Sequence, residues 1–283
     1  MAANIKESET VYDIYNRDPD LFRELNDRPA RVTINGKRHY NTPFLTGPAA
    51  SVTTIISETA SEANKKKLEM WSKNNPGVKE AAAERGTAIH SCMEMFLKQE
   101  DVDVPQEYQD FWTGMPDILS QFQEVLWAET PLRDDHQFAL SSDGVGRVWG
   151  RDAEERSWVG SPDIIGVAGN KLTLADLKTS VKPYCRWWPK DLEKGSPEWR
   201  DRLGGYMKFN KCMLQLGAYA LGIEQTLNMK VQQAAIIVST PNDTQLFKIS
   251  RRHLDSFQNK WLKVVDEYYS DLDRCVVYDR DLI

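Results

Sequence analysis

The stretch KLTLADLKTS, residues 171–180, constrains the fold more than any other part of the chain. Leu172 to Leu177 reads as a strand in the middle of a sheet. Side chains alternate along a strand, so Leu172, Leu174, Asp176 and Lys178 share one face, and Thr173, Ala175 and Leu177 share the other. Both faces are apolar up to the last residues, which predicts a core strand whose acid and base sit at its end, at the rim of the core. An unpaired carboxylate or ammonium is costly to bury. Asp176 and Lys178 therefore form either an ion pair at a strand end or a site that uses both charges.

The segment GSPDIIG places Asp163 on the preceding strand, and the Gly-Asn turn in GVAGNK (166–171) folds that strand back onto 171–179. Such a hairpin brings Asp163 beside Asp176. Two carboxylates converging next to a lysine suit a hard cation such as Mg²⁺ or Mn²⁺, which takes oxygen ligands and keeps its waters. A cation there can polarise a phosphate oxygen and acidify a bound water, and a lysine can position that water or stabilise developing negative charge.

Upstream, ERGTAIHSCMEMF (84–96) has helical spacing and sets Gly86, His90 and Glu94 on one face. A helical glycine costs stability relative to alanine, so close packing against Gly86 is expected. The imidazole of His90 is a good Mn²⁺ ligand or phosphate-orienting group; its structural alternative is a simple pairing with Glu94. Downstream, QLGAY puts Gln215 and Tyr219 on one helical face.

The remaining pattern is mixed. RVTINGKRHY (31–40) is a hairpin around an Asn-Gly turn. Helices are expected over 57–72, 78–99 and about 107–126, the last kinked at Pro116. Strands are expected near 125–132, 136–141, 156–167, 171–179, 233–240 and 244–250, with helices over 208–225 and 251–273. This order predicts a mixed α/β fold, a central sheet flanked by helices. Residues 1–75 are expected to form an N-terminal hairpin and helical region, and 76–283 the core.

Composition narrows the class. The chain has 283 residues, 41% hydrophobic and 28% charged, which suits a soluble globular protein. No apolar run approaches the ~18 residues of a membrane span. MAANIKESET lacks the apolar core of a secretory signal and is too acidic for a typical transit peptide, so a cytoplasmic location is expected. The four cysteines are scattered without a CxxC pair, which argues against zinc. No GxxxxGK[ST] sequence appears, so no ATP-driven half is expected.

Taken in order, Gly86–His90, Gly160–Asp163, Asp176–Lys178 and Gln215–Tyr219 make the chain resemble the RecB-type branch of the PD-(D/E)XK nuclease superfamily. SVTTII (51–56) followed by RGTAIH is similar to the mitochondrial genome maintenance exonuclease family and its phage and bacterial relatives, with Ala50 where proline is usual. The resemblance implies a restriction-endonuclease-like core and a metal-dependent exonuclease acting on single-stranded DNA with free ends, in replication, repair or recombination. If phage-encoded, it would work in the host cytoplasm. By position, His90, Asp163, Asp176 and the Leu177 carbonyl would hold Mg²⁺ or Mn²⁺, and Lys178 would hold or activate the attacking water. Gln215 and Tyr219 would orient the metal site or contact DNA, and Glu129 and Glu94 are possible additional groups. The family's iron–sulfur members need a cysteine cluster after the last motif; only Cys275 follows Tyr219, so no cluster is expected.

The net charge of −6 argues against a general appetite for nucleic acid, but it averages over patches. From Lys178 to Lys211 there are nine Lys/Arg against four Asp/Glu. Aromatics are interleaved with them, most densely in YCRWWPK (184–190). Basic grooves with aromatic platforms hold single strands. Lys182, Tyr184, Arg186, Trp187 and Trp188 are the candidate contacts there, joined by Arg85, Thr87, Ser51, Thr53 and Thr54. The alternatives to an exonuclease are a silent nuclease-like scaffold that binds DNA or protein, and an endonuclease or duplex-end resecting enzyme of the same superfamily.

Overall fold

A computed structural model describes residues 30–41, 48–128, 148–226, 229–241 and 243–280. The fold is mixed α/β, with seven α-helices and ten strands in two five-stranded sheets among the described residues. The first sheet has the order β1-β2-β3-β6-β5, from β1 (Ala30–Ile34), β2 (Lys37–Asn41), β3 (Ala49–Ser51), β6 (Ser157–Gly160) and β5 (Val148–Arg151). The second has the order β10-β9-β8-β7-β4, from β10 (Asp243–Ser250), β9 (Gln233–Thr240), β8 (Lys171–Thr179), β7 (Ile164–Ala168) and β4 (Phe122–Ala128).

β8 is the centre of the second sheet, antiparallel to β7 and parallel to β9. A central strand covered on both faces reads as a continuous apolar run, which is why Leu172–Leu177 looks as it does. Its two faces feed two separate cores. Leu172 and Leu174 join a cluster with Met213 and Leu216 of α6 (Pro197–Thr226) and with Leu254, Trp261 and Val265 of α7 (Arg251–Arg280). Ala175 and Leu177 join a second cluster with Ile89 and Met93 of α3 (Val78–Leu97) and with Phe111, Met115 and Leu119. The second sheet is thus the middle layer between α6–α7 and α3.

The first sheet joins the larger core through Trp158, whose ring meets Trp261 edge-on at 5.6 Å between centroids. The Trp158 indole N–H donates to the Ala218 carbonyl of α6 at 3.3 Å. Of the two remaining helices before α3, α1 (Val52–Glu58) is capped by Ser51, whose hydroxyl accepts from Thr54 N–H, while α2 (Glu62–Asn74) buries none of its residues.

The structure departs from several of the expected elements: the helix expected over 57–72 is the two helices α1 and α2, and the one expected over 208–225 begins at Pro197. The helix expected over 107–126 is instead a 3₁₀ turn (Gln106–Tyr108), α4 (Gln109–Trp112), α5 (Met115–Leu119) and then β4. The break is at Gly114, whose φ of +78° no helix accommodates, and Pro116 then lies in the first turn of α5, where its missing N–H costs nothing. The strand expected over 156–167 is two strands, split at Ser161–Pro162–Asp163. The strand expected near 136–141 lies outside the described residues.

Candidate active site

The split between β6 and β7 creates the site. The chain leaves the first sheet at Gly160 and enters the second at Ile164, so Asp163 sits at the crossing, one residue ahead of β7 rather than within it. Ile164 pairs with Ala175, which puts Asp163 across from Asp176. The Leu177 N–H donates to Asp163 Oδ2 at 2.7 Å. One carboxylate oxygen therefore takes a hydrogen bond from the strand that carries the other acid.

From the opposite layer, α3 delivers His90. Its Nδ1 lies 2.8 Å from the Gly86 carbonyl, and its Nε2 lies 3.3 Å from Asp163 Oδ2. A carbonyl oxygen only accepts, so Nδ1 carries a proton. Nε2 then faces a carboxylate, an arrangement that is favourable only with a cation at Nε2, either a second proton or a metal ion.

Asp176 lies deeper than the rim position expected for it, at 0% exposure. It projects from a strand paired on both edges and covered on both faces. Its Oδ2 is 2.5 Å from Lys178 Nζ in an ion pair, and its Oδ1 has no hydrogen-bond partner. Lys178 is 27% exposed through its side chain, so the pair runs from the core out to the surface.

The charges respond to this placement. Burial pushes the Asp176 carboxyl up; Lys178 opposes that and Asp163 adds to it, and the carboxyl reaches about 6. Burial also works against charge on Asp163, but the positive field of His90 and Lys178 and the Leu177 N–H outweigh it, holding this carboxyl below its ordinary value. Burial disfavours the charged Lys178 as well, yet the two aspartates hold its ammonium well above the usual lysine range. The site thus contains one firmly ionised acid, one acid whose carboxyl is raised to about 6, and a lysine that stays charged.

An imidazole nitrogen, two carboxylates and the nearby backbone carbonyls could hold a hard cation such as Mg²⁺ or Mn²⁺. The orphaned Oδ1 of Asp176 and the Nε2–Oδ2 contact of His90 and Asp163 are both what a shared cation would satisfy. As the side chains stand, no three His, Cys, Asp or Glu groups among the described residues surround a single point. Asp176 is turned towards Lys178, and a cation bound by all three side chains would compete with Lys178 for that carboxylate.

Gln215 and Tyr219 of α6 back this cluster. Gln215 Nε2 donates to the Tyr219 hydroxyl at 2.7 Å, and both are buried. Burial first, then the charge of Asp176, raises the Tyr219 phenol above its ordinary value, so it stays neutral. Cys212, one turn earlier on α6, is buried beside Lys178, and burial pushes its thiol up to about 12. It is an unreactive neighbour of the site, and the sequence offered no signal for it.

The other predicted residues divide. Ser51 and Thr54 are buried and use their hydroxyls to cap α1 and to reach the Arg38 carbonyl, whereas Thr53 is exposed. Thr87 is exposed on α3, with its hydroxyl on the Ala83 carbonyl at 3.1 Å. Glu94 lies one turn beyond His90 on α3. Tyr184 packs on the larger core, Lys182 pairs with Asp201 at 2.6 Å, and Arg186 donates to the Lys248 carbonyl at 2.6 Å. Trp187 is the residue left open, at 73% exposure; Trp188 is half-covered by edge contacts with Trp199 and Tyr206. Glu129 lies outside the described residues. The close packing expected at Gly86 is not there: a Cβ would meet only Thr179 Oγ1, at 3.8 Å, an ordinary contact.

No protein-family model and no curated protein matches the chain. Among solved structures, SSO0001 is similar over 72% of this chain and 68% of its own, at 15% identity and a TM-score of 0.31. A candidate exonuclease from Eubacterium rectale is similar over 66% of this chain and 68% of its own, at 15% identity and a TM-score of 0.32. Likenesses this weak carry no inference about activity.

Proposed function

We propose that the protein is a Mg²⁺- or Mn²⁺-dependent deoxyribonuclease, an exonuclease that prefers single-stranded DNA with free ends. The observation that carries this reading is the burial of Asp176, fully enclosed and with one oxygen unpartnered, next to a second carboxylate, an imidazole and a charged lysine. A protein selected for stability alone gains nothing from a carboxyl buried in its core with its pKa raised, whereas functional sites are where such perturbation collects. A silent scaffold has no use for it either.

In this reading His90, Asp163, Asp176 and the Leu177 carbonyl would hold the cation, which supplies Lewis-acid polarisation of the phosphate and an acidified water. Lys178 is protonated, so it acts as a donor and not as a base. Its ammonium orients the attacking water and stabilises the negative charge that builds on the phosphate oxygens. Asp163, fixed by the Leu177 N–H, holds the imidazole of His90 in place. Gln215 and Tyr219 form the floor that keeps bulk water from the inner face of Asp176. Trp187, exposed in a basic segment, is a stacking surface for a base of the strand.

The test is digestion of end-labelled linear single strands, duplexes and circular single strands with Mn²⁺, Mg²⁺ or EDTA, beside Lys178→Ala and Asp176→Asn. Metal-dependent loss of linear single strands, absent in both variants, is expected. Cutting of circles would replace the exonuclease with an endonuclease. A folded wild type that cuts nothing would replace both with the binding scaffold.

A further inference from the structure

Beside the carboxylate cluster lies a group of cations with no acid among them. Lys208 of α6 places its Nζ 3.1 Å from Ser180 Oγ and 5.7 Å from the centre of the Tyr184 ring. Much of the Lys208 side chain is exposed, but its ammonium end is tucked against these two residues. Across from it on α3, the Arg85 guanidinium lies over the Phe111 ring at 4.7 Å, and its Nε is buried without a hydrogen-bond partner. Neither cation has an ion pair among the described residues. Burial and then the Arg85 charge push the Lys208 ammonium below its ordinary value. Two like charges brought together without a counter-ion are an unfavourable arrangement that an anion would relieve.

The floor between them is bare. Gly86 is the residue after Arg85, in mid-helix, where glycine costs stability. No protein atom takes the space a side chain there would fill, since the nearest is Thr179 Oγ1 at 3.8 Å from a Cβ. Thr179 and Ser180 directly follow Lys178 on β8. The Gly86 carbonyl holds His90 Nδ1 at 2.8 Å, so this floor is one helical turn from the carboxylate cluster.

We propose that Arg85, Gly86, Thr179, Ser180 and Lys208 form a subsite for a phosphodiester of a bound single strand, next to the phosphate that is cut. The two cations neutralise it, the Thr179 hydroxyl donates to its oxygens, the buried Ser180 hydroxyl holds the Lys208 ammonium in place, and the missing side chain at Gly86 lets the strand approach α3. The subsite rests on the reading of the protein as a DNA-strand enzyme, and it sets which phosphate reaches Lys178.

The experiment is binding of a fluorescein-labelled twelve-nucleotide oligothymidylate in EDTA, across a NaCl titration, with no cutting possible. The variants are Lys208→Gln, Arg85→Gln and Gly86→Ala, with Lys230→Gln as control. Lys230 is exposed and precedes β9, at the opposite end of the central strands from Lys178. Lys208→Gln and Arg85→Gln are expected to weaken binding by about 10-fold and to lower the salt dependence by about 0.7 each, the value for one lost phosphate contact on a single strand. Gly86→Ala is expected to melt no lower than wild type and to bind several-fold more weakly. Lys230→Gln should bind like wild type. Wild-type affinity and salt dependence in the first three variants overturn the subsite, as does a wild type that does not bind the oligonucleotide. If the variants lose binding while wild type cuts nothing with Mn²⁺, the subsite stands and the nuclease reading falls; if wild type cuts and the variants bind normally, the subsite alone falls.

Discussion

The ring of Tyr219 occupies the space that a side chain at Gly160 would need: a Cβ there would lie 2.2 Å from Tyr219 Cε1. Gly160 ends β6, three residues before Asp163, and Tyr219 stands on α6 with its hydroxyl on Gln215. The glycine before Asp163 and the tyrosine on α6, far apart in sequence, are therefore two halves of one contact. It fixes where the chain crosses from the first sheet to the second, and so where Asp163 points. Gly160→Ala should destabilise by about 1–3 kcal/mol through overpacking. Denaturant unfolding of Gly160→Ala, Tyr219→Leu and the double variant checks this, and the double variant should lose less than the sum of the singles. Strict additivity would mean that the two residues do not compete for space.

Asp176 should be a stability liability. Its carboxyl sits at about 6 in the folded protein against 3.8 ordinarily. A raised carboxyl pKa means that the folded state binds the proton more tightly, so stability falls as pH rises from about 4 to about 6 and stays lost above. Asp176→Asn removes that ionisation but leaves Lys178 with only Asp163 as a counter-charge. The net at pH 7 is expected to be a gain on the order of 1 kcal/mol, below the ~3 kcal/mol that the full shift represents. Thermal melts at pH 4 and pH 7 measure it: the gain should vanish at pH 4. Mn²⁺ should raise the melting temperature of wild type and not of the variant. A variant less stable than wild type at pH 7 would show that the acid belongs to the scaffold.

Asp163 should behave oppositely. Its carboxyl is held below the ordinary value, so its ionised form stabilises the fold above about pH 4, and that stability is lost as pH falls through its folded pKa. Asp163→Ala removes the acceptor for the Leu177 N–H and the counter-charge of His90. A loss of about 1–3 kcal/mol at pH 7, shrinking towards pH 3, is expected in urea unfolding. The two aspartates, facing each other across one strand pair, should thus move stability in opposite directions.

Much of this was legible in the sequence because period-two and period-3.6 patterns are strong where one element is long and buried. The β8 strand, the β9–β10 pair, the α7 helix and the second half of α6 follow from them, as does the proximity of Asp163 and Asp176 through the Gly169–Asn170 turn; the first eleven residues of α6 read as a polar connection. The crossing at Ser161–Pro162 was not legible: Trp158–Val159 and Ile164–Ile165 are both apolar pairs, and alternation cannot tell one long strand from two short ones in different sheets. The depth of Asp176 was hidden too, because local sequence reports which way a side chain points and not how many layers cover it. The Arg85–Lys208 group was legible only in part: Arg85 stood among the candidate DNA contacts and Gly86 was unexplained, but Lys208 comes from α6, more than a hundred residues away.

Trp187 and Trp188 are adjacent in sequence and should separate in experiment. Trp187 is 73% exposed, so Trp187→Ala should leave stability within about 0.5 kcal/mol of wild type. Trp188 closes an aromatic group with Trp199 and Tyr206, at 6.3 and 5.6 Å between ring centres. Trp188→Ala should cost about 1 kcal/mol or more, as edge-to-face contacts of this kind are worth ~0.5–1.5 kcal/mol beyond the area they bury. Binding should follow the reverse order. A base stacked on Trp187 contributes ~1–3 kcal/mol, so its removal should weaken oligothymidylate binding by about 5- to 150-fold, with the salt dependence unchanged because no charge is lost. Tryptophan fluorescence reads the same event, since the exposed indole is the one a stacked base would quench. If quenching by the oligonucleotide persists in Trp187→Ala, the stacking surface lies elsewhere and the exposed indole serves another contact.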